Sequence, residues 1–498
     1  MRFRSPPPRG LLLLAVSLAL LLSGPVSADE DPLQVGVTNK LDYRRLDQNR
    51  TKEEAFRNRM ELTAIRGPFS AWMRLESLQI SNANVYDPFG AVDVAPGVDL
   101  RIDETEITKR ALTIEADRFR GTVGDVSFVF GRGLMPTVFE DEELNFDTRL
   151  EGIVGHYDDD RGTVSLLAGS HDGNRFRGVY VEPVPWRFVR VGGGFVEAWG
   201  SGQDTEIRDR EQHVGGLAEL TLGPASLYGE YVQREFAGID VTGHGGFVSG
   251  LVSLGGFTVS AEWKDFLKFE HEFHDPPTTL RQHTWTMLNR ENGQILSDIP
   301  DDDVNGFLVD AEYAAGLFTT FLGSYSRLEK DDSGDTFWEA YGEAKGTWRE
   351  RVFGTAGGAE SEFAFGNIFE ERLSGFGEVI VELDDANSLT LGAEWAEVQE
   401  SNTATQAFEF PEEFRERIFY LSWGRSPWLN LTVSYEDTGD PSESRDDWTT
   451  VVAEIAVADG HDVLLSYGSE RGGWKCTGGV CFFEPEFEGL KLRWVARF

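Results

Sequence analysis

The residues best placed to do chemistry in this chain are carboxylates that alternate with apolar side chains. Phe257, Val259, Ala261 and Trp263 interleave with Ser260, Glu262 and Lys264. Leu389, Leu391, Ala393 and Trp395 interleave with Thr390, Gly392 and Glu394, and Leu429, Leu431, Val433 and Tyr435 with Asn430, Thr432, Ser434 and Glu436. Side chains alternate faces along a strand, so each stretch carries one greasy face and one polar, acid-bearing face. Glu230, Glu262, Asp310, Glu312, Glu378, Glu394, Glu436 and Glu454 share the polar parity. A ring of carboxylates in a low-dielectric wall gathers cations and repels anions, which makes these eight the candidate lining of a pore.

Other reactive groups point to less. His271, His274 and His283 share one polar stretch, Phe269–Asp303, at a spacing that matches no metal signature. The acid runs Glu140–Glu143 and Asp301–Asp303 lack calcium-loop spacing. Both groups read as solvated loop, with no metal or cofactor expected. The stretch Phe269–Asp303 either folds inward as a constriction or stands outside as a lid. No Gly-x-Ser-x-Gly elbow is present, so an enzyme is not expected.

The elements that must position the carboxylates are strands. Alternating segments recur from about Leu33 to Phe498, with no sustained 3.6-residue period. Short turns fall at 66–68, 120–122, 158–162, 182–185, 223–225, 255–256, 315–316, 349–351, 384–387, 425–427 and 458–460. Longer polar stretches separate them. These turns, with a first strand near Leu33–Leu46 and a last near Gly489–Phe498, predict about 24 strands, within roughly 20 to 26. Short turns on one side and long loops on the other fit an all-β, single-domain, antiparallel up-and-down transmembrane barrel, with both termini on the short-turn side.

Arg2, Arg4 and Arg9, the apolar run Leu11–Leu22 and Val26-Ser27-Ala28 read as a signal peptide over residues 1–28, leaving the barrel to residues 29–498. Losing three arginines and no acid takes the net charge from -39 to -42, which argues against a nucleic-acid partner. Export favours a disulfide between Cys476 and Cys481, since Cys-x4-Cys alone lacks the ligands of a closed zinc site.

The last strand shows Leu490, Leu492, Trp494, Ala496 and Phe498 on one face and Lys491, Arg493 and Arg497 on the other. Ending in an aromatic carboxylate, it resembles the C-terminal signature of bacterial outer-membrane β-barrels. That resemblance implies an assembly signal in Trp494 and Phe498, read by the barrel-assembly machinery. It also implies a bacterial outer-membrane location, periplasmic termini, and contact with lipid and lipopolysaccharide. Only a few residues separate residue 28 from the first strand, so no plug domain is expected before the barrel.

The densest motif is Gly131-Arg132-Gly133-Leu134, followed by Phe139 to Gly152 with Asp147 and Arg149 inside it. Together with the Cys-x4-Cys loop and Pro276-Pro277 through Arg290, it resembles an uncharacterised family, a domain of unknown function, of Gram-negative outer-membrane barrels. That family supplies fold and compartment but no activity. Val126, Phe128 and Phe130 read as outward, which would carry Arg132 outward too. Because Arg in mid-bilayer costs about 2–4 kcal/mol, a glycine bulge that turns Arg132 toward lumenal carboxylates is the expectation. The function expected is a passive or loop-gated channel for small polar solutes with weak cation preference. A closed structural or surface-binding barrel is the alternative, and a rim enzyme a distant third.

Overall fold

The computed structural model describes residues 32–498, apart from 49–50, 84–85, 90–99, 143, 145, 185, 201–209, 237–240, 270–272, 274, 300–301, 332, 403–411 and 478–479. The signal peptide over residues 1–28 lies outside the described residues.

The chain forms a closed antiparallel barrel of 24 strands. Each strand pairs with its neighbours in sequence, and the first, Gln34–Gln48, closes on the last, Phe487–Arg497, from Thr38 opposite Arg497 to Leu46 opposite Gly489. Closure leaves no unpaired sheet edge, the condition a spanning sheet must meet in lipid. The seam continues past the last strand, where Val37 and Phe498 exchange both backbone hydrogen bonds. Both described ends lie at one rim, here called the terminal rim.

Ten of the eleven expected turns fall between strands as read. The exception is the second: Phe119–Val126 already contains residues 120–122, and the chain reverses at Asp117 and Arg118. Asp117 adopts φ 47°, which supplied the turn without a glycine. The far rim also departs from expectation. Its connections at 172–173 and 366–367 are as tight as those at the terminal rim.

The outward face is apolar and bare. Leu391, Val433, Leu465 and Tyr467 are exposed at the parity read as outward. Phe257, Tyr313 and Phe321 form one row across three neighbouring strands, and Trp263 and Phe307 another. Six residues separate the rows along the strand, a rise of about 20 Å. Rows of exposed aromatic side chains of this kind belong on the lipid-facing surface of a membrane-spanning barrel.

Candidate functional site in the lumen

The far half of the lumen is filled by the chain itself. Beyond Val126 the chain leaves the wall, and the described residues between 127 and 149 turn inward with a short strand pair, Glu140–Asp141 with Phe146–Asp147. The described residues between 268 and 303 fold in beside it and carry α1 (Thr286–Asp298), a helix that the strand-based reading did not anticipate. A hairpin, Gly473–Thr477 with Val480–Glu484, packs against α1.

Apolar contact holds these segments in place. Phe128, Phe130, Leu134, Met135, Val138 and Phe273 pack among wall residues such as Phe176, Val196, Val232 and Phe247. The outward reading of Val126, Phe128 and Phe130 is therefore corrected: their alternation continues after the chain has left the barrel wall. Around α1, Trp285 stacks on Phe376 with ring centroids 4.3 Å apart, and Met287 joins Ala396, Val398 and Ile418.

The Gly131-Arg132-Gly133 motif sits where the inward segments meet the wall and each other. Gly131 (φ 52°) leaves no room for a Cβ, which would lie 2.3 Å from the Glu230 carboxylate. A Cβ on Gly133 (φ 92°) would lie 2.1 Å from the Asp275 carbonyl. These are left-handed positions with close backbone approach, the two conditions that demand glycine. Arg132 donates its N–H to Glu230 at 2.8 Å and its Nη1 to Ser249 at 2.9 Å, with the guanidinium 4.4 Å from the Tyr228 ring centre. It is lumenal, as expected, but the strand ending at Val126 puts it there rather than a bulge. Arg149 grips Asp147 through two hydrogen bonds, at 2.7 and 2.5 Å, and pairs with Glu140 at 3.1 Å.

The structure brings four of the eight candidate carboxylates onto these inward segments. Glu230 binds Arg132, and Asp310 binds Arg281 at 3.2 Å. Glu394 accepts the N–H groups of Thr286 and Met287 at 3.0 and 2.9 Å. Arg290 donates to Glu436 at 3.1 Å. Glu378 accepts from the Tyr420 hydroxyl at 2.6 Å, and Glu262 is half-buried. Glu312 and Glu454, nearer the terminal rim, are exposed. Glu230 and Glu394 retain 5% and 4% exposure, so among the described residues the lumen is packed in its far half, while Glu312 and Glu454 mark an open terminal half.

α1 is also tied into a relay of charges. Arg290 contacts Glu436, which meets Arg471 at 3.4 Å; Arg471 meets Glu416 at 2.5 Å, and Glu416 meets Arg372 at 2.9 Å. Arg372 returns to Glu291 of α1 at 4.0 Å. Burial pushes the Glu291 carboxyl up to about 8 despite Arg372. Burial also opposes ionisation of Glu140, but Arg149, Arg74 and Lys109 outweigh it and hold that carboxyl below the usual range.

Two readings of solvated loop groups are corrected here. His283 is buried, with Nε2 2.9 and 3.0 Å from the Glu339 oxygens. His271 and His274 lie outside the described residues. Glu140 and Glu142 are not a solvated face, since both reach basic residues of the wall. The missed partners of Glu140 and Glu142 are Lys40, Arg59, Arg74 and Lys109 on the first four strands, beside Arg44 and Arg57, which pair with Glu484 and Glu76. Their inward parity was legible, but the cations weighed there were Lys264, Lys491, Arg493 and Arg497, not these.

Residues 430–498, spanning most of the last four barrel strands, match a family described as Family of unknown function (DUF6029), in accord with the resemblance read from the motifs. No curated protein matches the chain. Among solved structures, the P pilus usher (PapC) translocation pore aligns at TM-score 0.48 and 10% identity, covering 94% of this chain and 99% of that one. The copper transporter OprC aligns at 0.48 and 9%, covering 94% and 80%. The siderophore receptor PirA from Pseudomonas aeruginosa aligns at 0.47 and 8%, covering 95% and 81%.

Proposed function

We propose that this protein is an outer-membrane, loop-gated channel for small polar solutes, with its gate shut in this structure. The observation that carries the reading is the split lumen. The terminal half is open and polar, while the far half is filled by segments held through side-chain contacts. Carboxylates at Glu312, Glu378 and Glu454 give the open half a weak preference for cations. The terminal rim is periplasmic on this reading, and Trp494 and Phe498 serve as the assembly signal. The register sets Cys476 opposite Cys481 in the hairpin beside α1, which supports a disulfide that stiffens the gate; the Cys476 side chain lies outside the described residues.

A second reading, a barrel whose lumen stays closed, is favoured by the apolar packing of Phe128, Phe130 and Leu134. Planar-bilayer recording separates the two. The channel reading expects brief, infrequent current steps from the whole chain, with a reversal potential shifted toward cations in a salt gradient. A silent wild type that stays silent in the Gly133→Ala variant supports the closed barrel instead.

A further inference from the structure

Three pairs of like charges stand directly opposite each other across neighbouring strands, one at the seam and two on the first four strands beside it. Arg44 faces Lys491, Lys40 faces Arg59, and Arg74 faces Lys109. Like charges in directly opposed positions destabilise a sheet, so this arrangement costs stability unless an anion lies between them. One carboxylate from an inward segment bridges each pair. Glu484 reaches Arg44 and Lys491, each at 3.3 Å. Glu142 reaches Lys40 at 3.6 Å and Arg59 at 3.2 Å. Glu140 reaches Lys109 at 2.9 Å and also pairs with Arg74.

The bridging groups thus come from segments that are not part of the wall. If those segments lift away, the strip keeps its cations and loses these three acids. Space for a guest already exists: a cavity of about 400 Å³ lies against the strip, lined by Lys40, Arg44, Arg59 and Lys491 and also by the wall acids Asp42 and Glu470. Wall acids remain beside the strip, with Glu76 on Arg57 and Arg59, Glu61 on Arg74 and Glu470 on Lys491, yet its cations still outnumber them in a chain of net charge -39.

We propose that the strip is a binding surface for a soluble polyanion bearing phosphate or carboxylate groups. Glu140, Glu142 and Glu484 occupy it as internal competitors. Each two-cation clamp presents charge-assisted donors to one oxyanion, the geometry that carboxylates and phosphates share. A polyanion that binds the strip displaces the acids and frees the inward segments. The proposal concerns binding, so it stands or falls separately from conduction.

The test uses the full chain in detergent with inorganic tripolyphosphate as probe, read by calorimetry. Wild type should bind, and binding should weaken as salt rises. The variant Glu140→Gln/Glu142→Gln/Glu484→Gln should bind about tenfold more tightly, since charged competitors are removed. The variant Lys40→Gln/Arg59→Gln/Lys109→Gln should lose binding. Equal affinity in wild type and the first variant, or retained binding in the second, overturns the proposal. Should either variant fail to assemble, hydrogen exchange on wild type decides. Residues 128–149 should exchange faster with tripolyphosphate present, and unchanged exchange overturns the proposal.

Discussion

The Glu394 carboxylate of the barrel wall caps α1, accepting the Met287 N–H at 2.9 Å. The same carboxylate takes the Thr286 N–H, so one wall residue satisfies two of the free donors at the helix start. Residue 285, at the cap position, is Trp and makes no such bond. The helix therefore depends on the wall for its N-terminal cap and for the negative charge that its dipole favours.

Glu394→Gln should loosen α1 while sparing the barrel. Losing a cap of this kind costs about 1–2 kcal/mol, or roughly tenfold in the undocked population. Limited proteolysis within residues 281–299 should speed up by that factor, while the unboiled protein keeps its folded mobility on a gel. Unchanged cleavage would show that apolar packing alone fixes the helix.

Gly133→Ala should separate the two inward segments. The new Cβ meets the Asp275 carbonyl at 2.1 Å, and alanine disfavours φ 92°. The backbone bond from Asp275 N–H to the Gly133 carbonyl, 3.3 Å long, is the contact at stake. Hydrogen exchange should rise in residues 128–139 and 273–280 together, with the wall strands protected. A rise in one segment only would mean that the two are not coupled.

The two segments should respond to pH with opposite signs. Glu291 has a raised folded-state pKa, so its contribution is complete below the ordinary carboxyl value, about 4.3, and is lost as pH rises through about 8. Facing it are Ser361, Arg372 and Glu339, with Glu370 and Glu416 sharing Arg372. Glu140 has a depressed pKa, so its contribution is present above the ordinary value and is lost as pH falls through the lowered one. Alkali should therefore release α1, and acid should release residues 127–149. Cleavage in α1 that is as slow at pH 9 as at pH 6, or a pH response that survives Glu291→Gln, would refute the assignment to Glu291.

Phe498→Asp should impair assembly rather than export. Phe498 is exposed at the terminal rim and continues the seam through its backbone bonds to Val37. Normal membrane levels of heat-modifiable variant protein would count against an assembly signal there.

The barrel was legible in the sequence because its period is local. Alternation such as Leu389–Trp395 depends on residues two apart, and the turns depend on Gly, Pro and Asp within a few residues. The filled lumen was not legible, for a physical reason. Glu394 and Met287 are 107 residues apart, and Arg290 and Glu436 are 146 apart. Nothing local marks those pairs. Parity placed the carboxylates inward but could not distinguish a residue lining water from one gripping an inward chain. The glycines of Gly131-Arg132-Gly133 were a visible signal, read as a bulge when they mark a docking surface.

On the channel reading, the inward segment bearing α1 closes a conducting barrel. The most direct measurement is single-channel recording of the chain with residues 281–299 replaced by a short Gly-Ser linker, beside wild type in the same bilayers. The replaced chain should give stable, large steps and wild type brief, infrequent ones. A replaced chain that is heat-modifiable, and so assembled, yet passes no current would contradict the channel reading.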